Sequence, residues 1–354
     1  MAQDAIAESD KPPGKNLLYL LEKQNIVSLD KFPQKEAFLV AKNIFEAEVN
    51  QIQVQIVTNI RRCQDLFNKF SPQDTIFSNW DFRYAWYLGY KYLPCFFVVY
   101  FNKKAVGLLP LWYENDRNQF RWFGSYWMED NSFWVFDKKY TPLMLAICPA
   151  RTYLNAIYLE QPSLNTILNL NQDEPKYQLD LTNLNSIDDF LAGLKKKKRY
   201  NLKRDQRIIT SQNPKIIFNR LNDLEIFFHL SNKRFGQDSD CQDPRRRKTY
   251  KNIIKQAKSY TARTITTEIN QQIASVDLAF GYKDTYYAAR GANNLDLFPG
   301  IGNFINLFQI QEAIKMGYKK IDFLEDDCGW KEELFTTVPL YFFVNQLDRK
   351  EYEV

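Results

Sequence analysis

The chain has 354 residues, room for two ordinary domains, and its 45% hydrophobic and 25% charged composition is that of a globular protein. A net charge of +5 is too mild to imply general nucleic-acid binding. A single histidine, His229, and the absence of any Cys-x-x-Cys pair exclude a zinc centre of usual composition.

Other chemistries are excluded by missing motifs. The sequence has no G-x-S-x-G elbow, no Walker loop and no G-x-G-x-x-G turn. No apolar run reaches the length of a membrane span, and MAQDAIAESDKPPGK lacks the charged-then-apolar order of a signal peptide. The five cysteines (Cys63, Cys95, Cys148, Cys241, Cys328) are odd in number and scattered, which points to a reducing cytoplasm.

In chain order, residues 1–14 read as a disordered lead ending in Pro-Pro-Gly, and residues 15–48 as helical. From 51 the pattern changes: IQVQIV alternates with period two, and RRCQDLFNKF follows with helical spacing. CFFVVYF, the turn residues Asn102-Lys103-Lys104 and AVGLLPLWY form a hairpin signal, with a third strand near FRWFGSYW. The second half repeats this order. TARTITTEI, a turn at Asn270-Gln271-Gln272, IASVDLAFGY and TYYAARG follow one another. The expected organisation is an extension over 1–50, one α/β unit over 51–180 and a related unit over 181–354.

Between the units lies NSIDDFLAGLKKKKRYNLKRDQRII, read as helical with Ser186 as N-cap and Asp188 and Asp189 in the first turn. Its second part sets Lys195, Lys196, Lys197, Lys198, Arg199, Lys203, Arg204 and Arg207 against a lone Asp205. Like charges three and four apart repel, so an anionic partner is narrowly favoured over a merely solvated face. A second basic cluster, PRRRK, stands at 244–248.

FPGIGNFINLFQIQEAIKMG (298–317) is the strongest single signal. Phe304, Leu307, Phe308, Gln311 and Ile314 keep helical spacing, Gly317 closes the helix, and Gly300 and Gly302 flank Ile301 at its start. Glycines there let the backbone N–H groups of Gly300, Ile301, Gly302 and Asn303 converge on one point, the arrangement that binds a pyrophosphate. The competing reading is a plain glycine turn before an ordinary helix. The next strand runs into DFLEDDCGWK (322–331), which places Glu325, Asp326 and Asp327 in a row before Trp330-Lys331.

This order, with PGIG and DFLEDDCGWK, resembles the GNAT acyltransferase superfamily. More narrowly it resembles the double-GNAT branch that includes the Fem-type peptidoglycan aminoacyltransferases and the cellulose-biosynthesis-type acetyltransferases. Pro299-Gly300, Asp322-Phe323, and Asp327 with Trp330-Lys331 fall at the branch's spacing. FSNWDFRYAW (77–86) and AVGLLPLWY (105–113) resemble its N-terminal unit. Leu297 stands where the general motif has Gln or Arg, Phe298 where the branch has Ser, and Trp330 where it has Tyr. The resemblance covers roughly residues 50–345.

It implies two tandem GNAT-like units, each a mixed β-sheet with flanking helices, the second carrying the donor site. It also implies an N-acyltransferase that moves an acyl group from acyl-CoA or acyl carrier protein to an amine of a peptide or small molecule, with no permanently bound cofactor. The aromatic share of 16% invites a long, fatty acyl chain. An amine attacking a thioester needs a base and a polarised carbonyl. Asp326 or Asp327 at the end of a strand, or Asp277 in the apolar strand VDLAF, could supply the base, with Arg290 as a partner for Asp277. Asp277 and Arg290 as a plain ion pair is the equal rival. Lys331 could hold a phosphate or the oxyanion, and Trp330 and Glu325 could line the cleft. Asp322 is expected to be structural. His229 is expected in the core, with a minority claim as base. Two alternatives stand beside this: aminoacyl transfer from charged tRNA, read by the Lys195–Arg207 helix, and a non-catalytic scaffold. No membrane span and no DNA partner are expected.

Overall fold

The computed structural model describes Lys23 and residues 25–125, 127–162, 165–325 and 329–352. Among these, the chain divides into two compact units that are not consecutive in sequence. The first comprises Met1–Pro72, Lys91–Asp173 and Tyr341–Val354, and the second Gln73–Tyr90 and Glu174–Leu340. The expected division at 50/51 and 180/181 therefore differs in kind. Residues 73–90 fold with the second unit, and the C-terminal segment returns to the first.

In the first unit, strands β1 (Val27–Ser28), β2 (Ile52–Val57), β3 (Leu93–Phe101), β4 (Lys104–Glu114), β5 (Gln119–Trp122), β7 (Thr152–Ile157), β8 (Asn171–Gln172) and β16 (Tyr341–Asn345) form one sheet. Their order is β1-β2-β3-β4-β5-β7-β16-β8, with β6 (Trp134–Val135) attached to β4. Helices α1 (Lys35–Phe45), α2 (Ile60–Phe70), α4 (Thr141–Ala146), α5 (Asn165–Leu168) and α11 (Arg349–Tyr352) complete the unit. Of the helix expected over 15–48, the described part holds α1 alone as α-helix beyond Lys23. Val54, Phe97, Val99, Leu109, Leu111 and Trp122 centre its core.

The second unit contains β9 (Lys176–Asp180), β10 (Lys215–Phe218), β11 (Thr261–Ile269), β12 (Gln272–Tyr282), β13 (Thr285–Asn293), β14 (Lys320–Glu325) and β15 (Thr336–Val338). They lie in the order β10-β11-β12-β13-β14-β9-β15. Helices α6 (Ile187–Gly193), α7 (Lys196–Thr210) and α10 (Ile301–Lys315) cover one face, where Leu191, Leu202, Ile305 and Ile310 meet Ile265 and Ala279. Helix α3 (Trp80–Tyr90) lies on the other face, its Phe82 ring edge-on to those of Phe280 and Tyr260. Helices α8 (Leu224–Phe235) and α9 (Pro244–Lys255) pack on each other through the Phe227, Phe228 and Tyr250 rings, and α9 meets α3 where Arg246 lies over the Trp86 ring.

The two units share one local device. Both long hairpins turn through consecutive left-handed residues, Asn102 and Lys103 (φ 50° and 62°) and Asn270 and Gln271 (φ 48° and 62°). That backbone matches the twist of the strands it joins. The segment read as one basic helix is two, because the chain is extended at Leu194 after Gly193 (φ −84°, ψ 153°).

The feature that positions a site is the pairing of β13 with β14. These parallel strands pair only over Thr285–Tyr287 and Lys320–Asp322. Beyond Tyr287 and Asp322 they part, leaving a gap at their carboxyl ends, where α/β proteins place ligands.

Candidate active site

Helix α10 starts beside that gap. Gly300 is its N-cap in the left-handed region (φ 91°), and no side chain caps the helix. The first-turn N–H groups of a helix have no acceptor within it; here the Ile301 N–H donates to the Phe298 carbonyl at 3.1 Å, and those of Gly302 and Asn303 are the donors left for an anion. Ile301 is fully buried among Ile209, Ile269, Ala274 and Phe298, which fixes the turn to the core. Gly317 closes the helix at φ 78°, with the Tyr318 and Gly317 amides donating to the Ala313 and Ile314 carbonyls.

Asp205, a buried residue of α7, reaches this turn. Its Oδ2 accepts from Asn303 Nδ2 at 2.7 Å, and its Oδ1 takes the Arg204 fork at 2.9 and 2.7 Å. A Cβ at residue 300 would lie 3.0 Å from Asp205 Cβ. Gly300→Ala is therefore expected to lower stability by about 1–2 kcal/mol from the backbone term alone, measured by denaturant unfolding. An unchanged midpoint would refute the tight fit. The turn is uncapped and built of small residues, with Arg204 held beside it by Asp205.

On the sheet below, Asp277 sits on β12 opposite Gly291 on β13. It shares the face of Ile265 and Ala279, against α7 and α10. Its Oδ2 is buried without a hydrogen-bond partner among the described residues. Burial pushes the carboxyl from 3.8 up to about 7, with only the Ser275 hydroxyl pulling it back. Any Cβ at Gly291 would collide with Asp277 Oδ1, yet Gly291 itself is solvent-exposed. The glycine is thus a notch above the carboxylate. Asn293 Nδ2 lies 4.0 Å from the Cβ position of Gly291 and 3.5 Å from that of Gly302. Asn293 thus stands near both Gly291, beside Asp277, and Gly302 in the first turn of α10.

The stretch DFLEDDCGWK resolves differently from expectation. Asp326 and Asp327 lie outside the described residues. Asp322 is structural: its Oδ2 accepts from Gln178 Nε2 at 2.7 Å and pairs with Lys176 Nζ at 3.3 Å, both charges buried. Its Oδ1 accepts the Leu324 N–H at 2.9 Å, holding a bulge where Leu324 is left-handed (φ 61°). Lys331, expected at a phosphate or oxyanion, is buried. Its Nζ donates to the carbonyls of Phe323 (2.7 Å), Leu324 (3.4 Å) and Glu325 (2.6 Å). It braces the end of β14. Trp330 is half-buried against the Phe323 and Phe335 rings, and Glu325 is half-buried at the end of the strand.

Two further expectations change. Arg290 pairs with Asp240 at 3.1 Å, not with Asp277, because the register sets Arg290 against Leu278, on the opposite face of β12. His229 is exposed on α8 rather than in the core. The described cysteines give no nucleophile: burial pushes Cys241 and Cys63 up to about 11 and 12. Sequence reasoning missed Gly291, Asn293 and Asp205. Gly291 had a signal, since a glycine closing a strand marks a close approach.

Residues 196–332 match the profile of the acetyltransferase (GNAT) domain. No curated protein sequence matches the chain. Among solved structures, FemX superposes with a TM-score of 0.50 at 10% identity, covering 83% of this chain and 97% of that one. A tandem GNAT protein from the clavulanic acid biosynthesis pathway gives 0.51 at 8% identity, covering 82% and 97%. L-PGS from Bacillus licheniformis gives 0.50 at 10% identity, covering 82% and 93%. The fold is that of a tandem GNAT protein.

Proposed function

We propose that this chain, whose residues 196–332 are a GNAT acetyltransferase domain, is an N-acyltransferase acting by direct transfer. The donor is a thioester on CoA or on a carrier protein, and the acceptor is an amine of a peptide or small molecule. The carrying observation is Asp277: a buried carboxylate with an unpartnered oxygen, poised near neutrality beneath an exposed glycine and beside an uncapped helix start. A general base works best with a pKa near the operating pH.

The donor phosphates rest on the α10 turn at Gly300–Asn303, with Arg204 alongside. The acceptor amine approaches over Gly291, and Asp277 takes its proton. The nitrogen lone pair attacks the thioester carbonyl carbon, the C–N bond forms, the C–S bond breaks, and the departing thiolate is protonated. Parting of β13 and β14 leaves the space in which these groups meet.

A fatty acyl donor is the sharper form of this reading, motivated by the aromatic content. A thermal-shift series with CoA, acetyl-CoA, octanoyl-CoA and palmitoyl-CoA tests it. A ligand at a hundredfold its dissociation constant adds about 2.7 kcal/mol. A shift that grows with chain length is expected, and an acetyl-CoA shift as large as the palmitoyl-CoA one would refute the fatty donor. Gly291→Ala is expected to lower kcat at least tenfold by displacing the Asp277 carboxylate, while circular dichroism stays unchanged. Full activity in that variant would remove the notch from the mechanism.

A further inference from the structure

We infer that the outer face of α7 is a docking surface for an acidic helical protein, the carrier that delivers the acyl group. The inference deepens the acyl-transfer reading and rests on it for the identity of the cargo.

The observations concern one helix with two sides. The inner side of α7 is tied to the donor turn through Asp205, which touches Gly300 and Asn303. The outer side borders an open groove of about 860 Å³ lined by Lys196, Lys197, Arg199, Tyr200, Lys203 and Arg207. Asp188 is the one carboxylate of that lining, and Lys203 already holds it at 2.9 Å.

Elementary electrostatics sets this helix against itself. Its first turn carries no acidic residue, so Lys196 and Lys197 crowd the positive end of the dipole, while Lys198 is held by Glu333 at 2.8 Å. Arg199, Lys203 and Arg207 follow at four-residue intervals, each repelling the next. A partner with carboxylates at helical spacing relieves both.

The shape and the apolar content select the class of partner. From Lys196 to Arg207 the stripe runs about 16 Å at 1.5 Å per residue. That is longer than the single terminal phosphate of a free nucleotide donor can use. Tyr200 is 61% exposed and Ile208 45% exposed on the same helix. Tyr200 lies in the lining among the cations while Ile208 stands outside it on the flank of the helix, and an exposed aromatic within a charged rim is the content of a protein interface. Asp205, which contacts the donor loop, stands on the opposite side of the same helix, about 10 Å across it, so a partner lying along α7 holds its cargo within reach of Gly300.

The test measures binding and turnover separately, using the full chain and octanoyl-loaded acyl carrier protein as the probe. Binding is followed by fluorescence anisotropy for the natural protein and for Lys196→Glu/Arg207→Glu, with a Lys196→Ala/Arg207→Ala pair as the milder variant. The expected result is at least tenfold weaker binding in the reversed variant at an unchanged melting temperature. Raising salt from about 0.05 to about 0.5 M, which shortens the screening length severalfold, should weaken the natural protein's binding likewise. The preference for carrier-borne over CoA-borne octanoyl should fall in step. Equal binding by all variants, or no binding by the natural protein, overturns the proposal. So does capture of bulk tRNA that the reversed variant loses, which makes the groove an RNA site. If the carrier binds as expected but no amine is acylated, the docking surface stands and the acyl-transfer reading fails.

Discussion

Asp277→Asn is expected to lower kcat by about 10²–10⁴, the usual contribution of a general base, and to make the protein more stable at pH 8. The two effects have one origin. The folded carboxyl titrates at about 7 against an ordinary value of 3.8. Between those values the folded protein binds more protons than the unfolded chain, so stability falls as pH rises from about 4 to about 7 and is level above. Asparagine does not titrate, so the variant loses that slope. A catalytic replacement that stabilises is the expected mark of a group kept in an unfavourable place for its chemistry. The acid limb of kcat/KM near pH 7 should vanish with the substitution. A variant that is both inactive and destabilised at pH 8 would make Asp277 a structural residue.

Asp322→Ala is expected to cost 3–5 kcal/mol, the penalty for breaking a buried pair. Lys176 would lose its Asp322 partner in the core, and the Gln178 side chain and the Leu324 N–H would lose their acceptor. Asp322→Ala with Lys176→Met should recover part of the loss, since it also removes the buried charge whose Asp322 partner is gone. Urea midpoints of the three proteins decide it. A single variant within 1 kcal/mol of the natural protein would mean that other groups satisfy Lys176. Activity should fall in proportion to folded fraction alone, which separates this carboxylate from Asp277.

These two aspartates also show what a sequence tells and what it hides. Both stand in apolar strands, and their spacing alone does not separate them. Asp322 was expected to be structural from its place inside the strand, and its role as a bulge acceptor agrees. Asp277 was a candidate base, but its expected partner was Arg290. One bulge in β13 and the alternation of β12 put that arginine on the other face. Such an offset is set by pairing, not by local residue type. The hairpins were legible because their turns depend on two or three adjacent residues. Helix α10 was legible because glycine, apolar period and closing glycine all lie within one stretch. The contacts of Asp205 with Gly300 and of Lys331 with three carbonyls join residues whose relation appears only after folding. The same holds for FSNWDFRYAW, placed with the first unit by resemblance. Its helix packs with the second through Phe82.

The discontinuous units have a consequence for biosynthesis. Strand β16 lies between β7 and β8 in the first unit's sheet, yet it is translated after every strand of the second unit. Chains usually fold domain by domain as they emerge. Here the half made first must wait, its β7 edge unpaired, while the whole second unit is translated and can close. Nascent-chain proteolysis should find residues 174–340 protected before residues 91–173, reversing the order in which the two were made.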